Sequence, residues 1–308
     1  MTNSDLPAAL EALRLTSSPF EAVLVDMEAD VDTVGVCHLW IQDMNKVGKF
    51  PTVVLTCRKR GAAESETTYK DAVAAIFDAA VSLDIVVCSD LGDIPSPIRG
   101  IPFARATGLF VAARGMKISV GTDPAYVELG PLDSVSITDA RNNPKYHNED
   151  KYPGLDDVRI TTLRTIEGFE GVYITNANLI SASGSDFVYW QHARCLNLGC
   201  RVTYQLLTKK LSKGVRKSPQ VGPGGERYID EAEAAKLEEL VNAELDRQLV
   251  TPGEVDDMAC IISRTDDIRS NAGAEVNVEL QSVSLGYVKK FKVAAGYVTA
   301  IETPSAAQ

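Results

Sequence analysis

Residues 20–91 decide the fold: FEAVLVD (20–26), DVDTVGVCHLWIQDMNKV (30–47), PTVVLTC (51–57), TTYKDAVAAIFDAAVSL (67–83) and DIVVCSDL (84–91). The first, third and fifth are short apolar runs. The second places apolar residues at 31, 34, 36, 39, 40, 41, 44 and 47, a helical spacing. The fourth sets Val73, Ile76, Phe77, Ala80 and Val81 on one helical face. Apolar strands alternating with helices at this pitch predict a parallel α/β sheet covered on both faces. PIRGIPFARATGLFVAARGM (97–116) continues the pattern as a helix broken near Pro102, and KISVGT (117–122) as a further strand.

Beyond this stretch the chain changes character. DARNNPKYHNEDKYPGLDD (139–157) is polar and rich in turn residues, and reads as a loop or inter-domain connection. VRITTLRTIEGFEGVYIT (158–175) reads as strands turning at Glu167-Gly168. A helix is predicted from Asp186 to Lys210, and SPQVGPGGERY (218–228) reads as a Pro/Gly loop. The clearest helix runs from Asp230 to Leu249, with Asp230 as its cap, Glu233 placed for a capping box, and Leu237, Leu240, Val241, Leu245 and Leu249 as one stripe. Thr251-Pro252-Gly253 stops it. Strand-like runs follow at 258–264, 274–285 and 288–301. In the second, Val276, Val278 and Leu280 alternate with Glu275, Asn277, Glu279 and Gln281, as in a half-buried strand. The expected organisation is α/β: a parallel-type α/β domain over residues 1–150, then an α+β domain over 151–308 whose terminal strand is available for exchange.

Composition narrows the function. The 308 residues include 31 Lys plus Arg and 42 Asp plus Glu, for a net charge of −11. That balance argues against a nucleic-acid partner and against docking on anionic lipid, both of which need clustered cations. With 45% hydrophobic and 24% charged residues, the chain can build a core. No apolar run approaches 18 residues, so no membrane span is expected. The opening MTNSDLPAALEALRLTSS lacks the layout of a secretory signal, so synthesis and folding in a cytoplasm are expected. The six cysteines, Cys37, Cys57, Cys88, Cys195, Cys200 and Cys260, then read as reduced thiols, most of them buried.

Motifs for chemistry are lacking. The sequence contains no GxxxxGK[ST], no GxGxxG after a strand, no HExxH and no GxSxG. GPGG (222–225) lacks the strand and lysine of a phosphate loop. GSD (184–186) near His192 is better explained as a turn than as part of a triad. Cys195, Cys200 and His192 lack the second ligand pair of a zinc site. His38 and His192 lie in apolar helical stretches and read as packing residues, and His147 lies in the polar connection. Asp26 and Asp90 end strands, where open α/β sheets bind ligands; caps and loop solvation account for most such acids. Asp256-Asp257 and Asp266-Asp267 lack a calcium-loop pattern. No cofactor or metal is expected, and the chain reads as a non-enzyme.

Charge is segregated instead. Arg201, Lys209, Lys210, Lys213, Arg216 and Lys217 form a basic stretch without acids, and residues 226–246 hold eight acids, Glu231, Glu238 and Glu239 among them. These are either solvated faces or complementary patches that meet across subunit contacts. The terminal run 288–301 either completes its own sheet or adds to a neighbour's edge.

From about Phe169 to Val298 the order of elements resembles the C-terminal domain of contractile-tail sheath proteins. GVYITNANLIS leads into DFVYWQHARCLNLGCRVTYQLLTKKL, similar to the family's aromatic-rich strand and arginine-bearing helix. EAEAAKLEELVNAELDRQL follows. The ending VDDMACIISRTDDIRSNAGAEVNVELQSVSLGYVKKFKVAAGYV supplies a strand, an Asn-bearing loop (Asn271), an alternating strand and a closing strand. The preceding α/β region is similar to the sheath middle domain. The resemblance implies a structural subunit that stacks as hexameric rings in a helical tube around an inner tail tube protein, meets baseplate and tail terminator proteins, is assembled in the bacterial host cytoplasm, resides in the virion tail and contracts on a trigger. It implies an exchanged strand carrying Phe291, Val293, Tyr297, Val298 and Ile301, and re-pairing surfaces at Lys209, Lys210, Lys213, Glu231, Glu238 and Glu239. The N-terminal arm usual in sheath proteins is not evident, since residues 1–19 read as polar and weakly helical. The alternatives are a cytosolic α/β enzyme or small-molecule binder using the strand ends near Asp26, Cys57 and Asp90, or a tube or baseplate component of the same particle.

Overall fold

The computed structural model describes residues 5–287 and 289, apart from 17, 62, 78–79, 97, 99–100, 140, 183, 186, 213 and 269–274. Its centre is a parallel sheet of β1 (Ala22–Glu28), β2 (Thr52–Thr56) and β3 (Ile85–Cys88), in that order. Every residue of β2 and β3 is buried, as a sheet covered on both faces requires. One face (Val25, Val53, Leu55, Ile85, Val87) packs on α1 (Leu6–Arg14), α2 (Val31–Lys46) and α3 (Glu66–Phe77). The other face (Val54, Val86, Cys88) packs on α4 (Thr107–Lys117) and on Trp190. Asp30 caps α2 by accepting the Thr33 N–H at 2.8 Å. The weakly helical N-terminus is α1, fastened where the Trp40 indole donates to the Leu10 carbonyl at 2.8 Å.

The sequence reading needs correction at several places. Residues 97–116 are not one broken helix. β4 (Leu91–Pro95) and β5 (Pro102–Ala106) pair as an antiparallel hairpin before α4, and Pro102 takes a terminal strand position because it would break a helix. Residues 117–122 form no strand, because the Ile118 and Ser119 carbonyls are taken by a side chain, Arg194, instead of a ladder. The parallel sheet therefore stops at three strands. α3 ends at Phe77, leaving Val81 exposed. The Pro/Gly stretch 218–228 is a second hairpin, β8 (Lys217–Val221) with β9 (Arg227–Ile229), turning through GPGG. The turn at Glu167-Gly168 is as expected, between β6 (Leu163–Ile166) and β7 (Phe169–Ile174). α6 (Glu231–Leu245) closes with a π-helical turn, Asp246–Val250. Asp230 accepts from the Ala232 N–H, whereas Glu233 faces Lys236 and Arg216 rather than closing a capping box, and Leu240 is exposed.

The helix α5 (Trp190–Thr208) joins the two halves. Trp190, Arg194, Asn197 and Arg201 recur at spacings of four, three and four and so share one face. The Trp190 indole donates to Thr52 Oγ1 at 2.9 Å, and the Arg194 guanidinium pairs with Glu21 at 2.5 Å and donates to the Ser119 and Ile118 carbonyls. Asn197 donates to Asp84 Oδ1 and Arg201 to the Phe50 carbonyl, each at 2.8 Å. Glu21, Phe50, Thr52 and Asp84 all sit at the N-terminal ends of the three strands, so this one stripe holds the foot of the sheet. Helix α4 approaches so closely that a Cβ on Gly115 would lie 2.3 Å from the Trp190 ring. The opposite face of α5, with Cys195 and Val202, enters a separate core with α6 (Val241, Leu245) and β10 (Asp257–Ile262).

Arg194→Ala should lower stability by about 3 kcal/mol, because removing the nearly buried guanidinium leaves Glu21 and the Ile118 carbonyl without a donor, while the Ser119 carbonyl keeps the Thr122 N–H. Arg194→Lys should recover little, since one ammonium cannot reproduce the planar fork. Urea unfolding of the three proteins checks both outcomes.

Candidate assembly surface

Strand β10 pairs antiparallel with β11 (Val278–Val283), with Cys260 opposite Leu280 and Ile262 opposite Val278. The inner side chains Met258, Cys260 and Ile262 pack toward α5 and α6. Gly199 permits that approach, as a Cβ there would lie 2.6 Å from the Met258 sulfur. The Ser263 N–H bonds the Asn277 carbonyl, and this register turns the backbone groups of Met258, Cys260 and Ile262 away from β11.

The outer edge of β10 is closed by side chains. The Cys260 N–H donates to Asn242 Oδ1 and the Ile262 N–H to Glu238 Oε1, each at 2.7 Å. Arg264 donates to the Ile262 carbonyl at 2.6 Å and pairs with both Glu238 and Glu231. The Arg264 hydrogen bond holds the Glu238 carboxyl below its ordinary range. A shallow groove of about 710 Å³ runs along this edge. On β11 the outward backbone groups belong to Val278, Leu280 and Ser282. Among the described residues no strand pairs with them, and Val278 and Val283 are exposed beside them.

The predicted residues fall into three groups. Phe291, Val293, Tyr297, Val298, Ile301, Lys213 and the Asn271 loop lie outside the described residues. Lys209 and Lys210 are exposed at the end of α5, where the Lys209 charge reaches Glu244 on α6, and Glu239 is exposed. Glu231 and Glu238 are engaged within the chain by Arg264. Asn242 and Arg264 escaped the sequence reading. The signal for Asn242 was available, since Glu231, Glu238 and Asn242 recur at spacings of seven and four beside the apolar stripe of α6.

The root of the terminal segment is fixed. The Tyr287 hydroxyl donates to the Gly121 carbonyl at 2.7 Å, and Lys289 pairs with Asp123 while lying 4.1 Å from the Tyr189 ring centre. His192 packs edge-to-face on Tyr189 at 5.5 Å, the packing role expected of it.

At the C-terminal crest of the parallel sheet, Asp26 is exposed. The Cys57 thiol is buried, and burial pushes its pKa up to about 12, far from a thiolate nucleophile at neutral pH. Asp90, at φ +59°, is buried and accepts the His147 N–H at 2.7 Å and the Arg60 N–H at 3.4 Å. The connection 139–157 is a loop, but it packs into the crest: His147, Asn148 and Glu149 are buried. The strand-end acid nearest to a ligand position is thus engaged in holding the chain's own loop. Two depressions lie elsewhere, along β10 and beside β8 and β9.

The family model DUF2586, N-terminal domain, matches residues 1–178. No curated protein matches the sequence. A chain of the six-fold-symmetrised cryo-EM structure of the anti-feeding prophage baseplate superposes with a TM-score of 0.62 at 10% identity, covering 97% of this chain and 74% of that one. The sheath tail protein of Desulfitobacterium hafniense superposes with a TM-score of 0.52 at 12% identity, covering 92% of this chain. This chain spans 60% of that protein's length. At these identities the likeness is one of fold, and the fold is that of phage-tail sheath-type subunits.

The double variant Glu238→Ala with Asn242→Ala should orphan two edge N–H groups, at about 1–3 kcal/mol each where they stay dry. It should also self-associate with concentration in sedimentation velocity, because a protected edge has become a template. Monodisperse behaviour at every concentration would mean that these side chains do not guard the edge.

Proposed function

The chain belongs to the DUF2586 family, and on that footing we propose that it is a structural subunit of a contractile tail sheath, polymerising around an inner tail tube and contracting to drive the tube through the host envelope. The observation that carries this reading is the fold likeness running over 92–97% of the chain to a sheath tail protein and to a chain of a tail-like baseplate. In this reading residues 1–150 form the rigid body and 151–308 the assembly domain. The protein is assembled in the bacterial host cytoplasm as stacked hexameric rings, meets baseplate and tail terminator proteins at its ends, and works in the tail of the particle.

The linkage between copies is a strand. Residues 291–301 of one copy, with Phe291, Val293, Tyr297, Val298 and Ile301, add to the outer edge of β11 in the next. Three residues on that edge offer an N–H and a carbonyl each; at about 0.5–1.5 kcal/mol net per bond, this is several kcal/mol per junction. Main-chain bonds of this kind survive a rotation of the bodies. Exposed Lys209, Lys210 and Glu239, together with Lys213 from outside the described residues, supply polar contacts that re-pair, each worth about 0–1 kcal/mol but repeated at every junction. Glu231 and Glu238 contribute by keeping Arg264 over the closed edge of β10.

A baseplate component is the second reading, favoured by the fuller coverage of the baseplate chain, 74% against 60%. Negative-stain microscopy separates the two, because a sheath subunit gives tubes and a baseplate component gives single rings. Removing residues 291–308 should abolish polymerisation while circular dichroism reports an unchanged fold, and a truncated chain that polymerises normally overturns strand donation. Reversing Lys209, Lys210 and Lys213 to Glu should weaken assembly more at low salt than at high salt. Equal assembly across the salt series removes the charge contribution.

A further inference from the structure

His147 lies in the connection that fills the sheet's crest, with its ring fully enclosed. Its Nδ1 is 2.8 Å from a Glu66 oxygen and its Nε2 is 2.8 Å from a Glu149 oxygen. Ionised carboxylates only accept, and a neutral imidazole carries one N–H, so it can satisfy one of these contacts and sets lone pairs against each other at the second. Both carboxylates are already surrounded by donors. Glu66 pairs with the Arg60 guanidinium at 2.6 Å. Glu149 accepts the N–H groups of Gly154 at 2.6 Å, Asp156 at 3.2 Å and Leu155 at 3.3 Å. The extra proton therefore belongs on the ring.

We propose that His147 is a proton-operated clamp: as an imidazolium it fastens the 139–162 connection between the first turn of α3 and the end of β3, and loss of its proton releases that connection. Every element around it bears on the charge balance. From α3 come Glu66 and the Tyr69 ring, 6.1 Å away, with Lys70 bonded to the Pro153 carbonyl. The segment after β2 brings Arg60, and Arg58 over Tyr69. The end of β3 brings Asp90, which accepts the His147 N–H. The connection itself brings Glu149, whose charge bears on Asp156, and Lys145, which pairs with Asp93. Without the ring proton, Glu66 and Asp90 keep Arg60 as a nearby cation, and Glu149 keeps the backbone N–H groups of Gly154, Leu155 and Asp156.

Burial by itself lowers the ring's proton affinity, but the Glu149 and Glu66 hydrogen bonds outweigh it, so the folded-state pKa stands above the ordinary value. The folded protein thus holds the proton more tightly than the unfolded chain. The clamp's contribution is complete below the unfolded value of about 6.5 and is lost as pH rises through the folded one.

Urea unfolding of the full chain and of His147→Gln from pH 6 to pH 9 tests this. The two midpoints should differ most at pH 6 and converge as pH rises, and a constant separation overturns the clamp. Should the variant not fold, long-range 1H–15N spectra of the wild-type ring decide. Both ring nitrogens protonated at pH 7 supports the proposal, and a neutral tautomer at that pH overturns it.

Discussion

One polar stripe on one helix holds the two halves of the molecule in register. Trp190, Arg194, Asn197 and Arg201 face the N-terminal ends of all three parallel strands, and each finds a partner there. Arg194 costs a great deal to bury, and the structure meets that cost with a carboxylate, two carbonyls and the Trp190 ring at 5.4 Å. Burial raises the Asp84 carboxyl, and the Asn197 amide opposes that shift. A purely apolar helix face would bury area as well, but it would not fix rotation and height against the sheet. The opposite face of α5 carries the core of α6 and β10. Any displacement of the helix is therefore felt in both halves.

The two ends of the parallel sheet are treated differently. Its foot is held by the α5 stripe, and its crest is covered by the chain's own 139–162 connection. In open α/β sheets the crest is where ligands lie; here Asp90 holds backbone N–H groups and His147 bridges two glutamates. In the second half β10 is capped by α6 side chains, and among the described residues no strand pairs with the outer edge of β11. A sheet with one guarded and one unguarded edge has a built-in direction for growth.

Much of this was legible in the residues. The strands of the parallel sheet stood out because strands buried on both faces must be apolar, α2 because of its spacing, and α6 because its spacing and cap agree. The alternation of 274–285 marked β11, where Val276 and Leu280 lean on the core. The failures share a physical cause: tertiary partners overrode local composition. Ile118 and Ser119 look strand-like until Arg194 takes their carbonyls. The connection 139–157 looks solvated until Glu66 and Asp90, far away in sequence, meet the His147 ring and the His147 N–H respectively. The α5 stripe hid because Arg201 read as part of a basic stretch, and nothing local to Arg194 or Asn197 tells of the strand ends they meet. For the assembly surface, Glu231 and Glu238 read as a charged face open to other copies, but within the chain they pair with Arg264, which lies 33 and 26 residues away.

The ring of contacts around Tyr287 and Lys289 also sets how the body carries load. A pull on the residues beyond 289 is met first by the Lys289–Asp123 pair, the Tyr189 ring and the Gly121 carbonyl, before it can reach β11. Those partners lie beside the start of α5 and just past α4, so the tension enters the donating body there. The donor's own two-stranded sheet is bypassed, and β11 takes load only where it accepts a neighbour's strand.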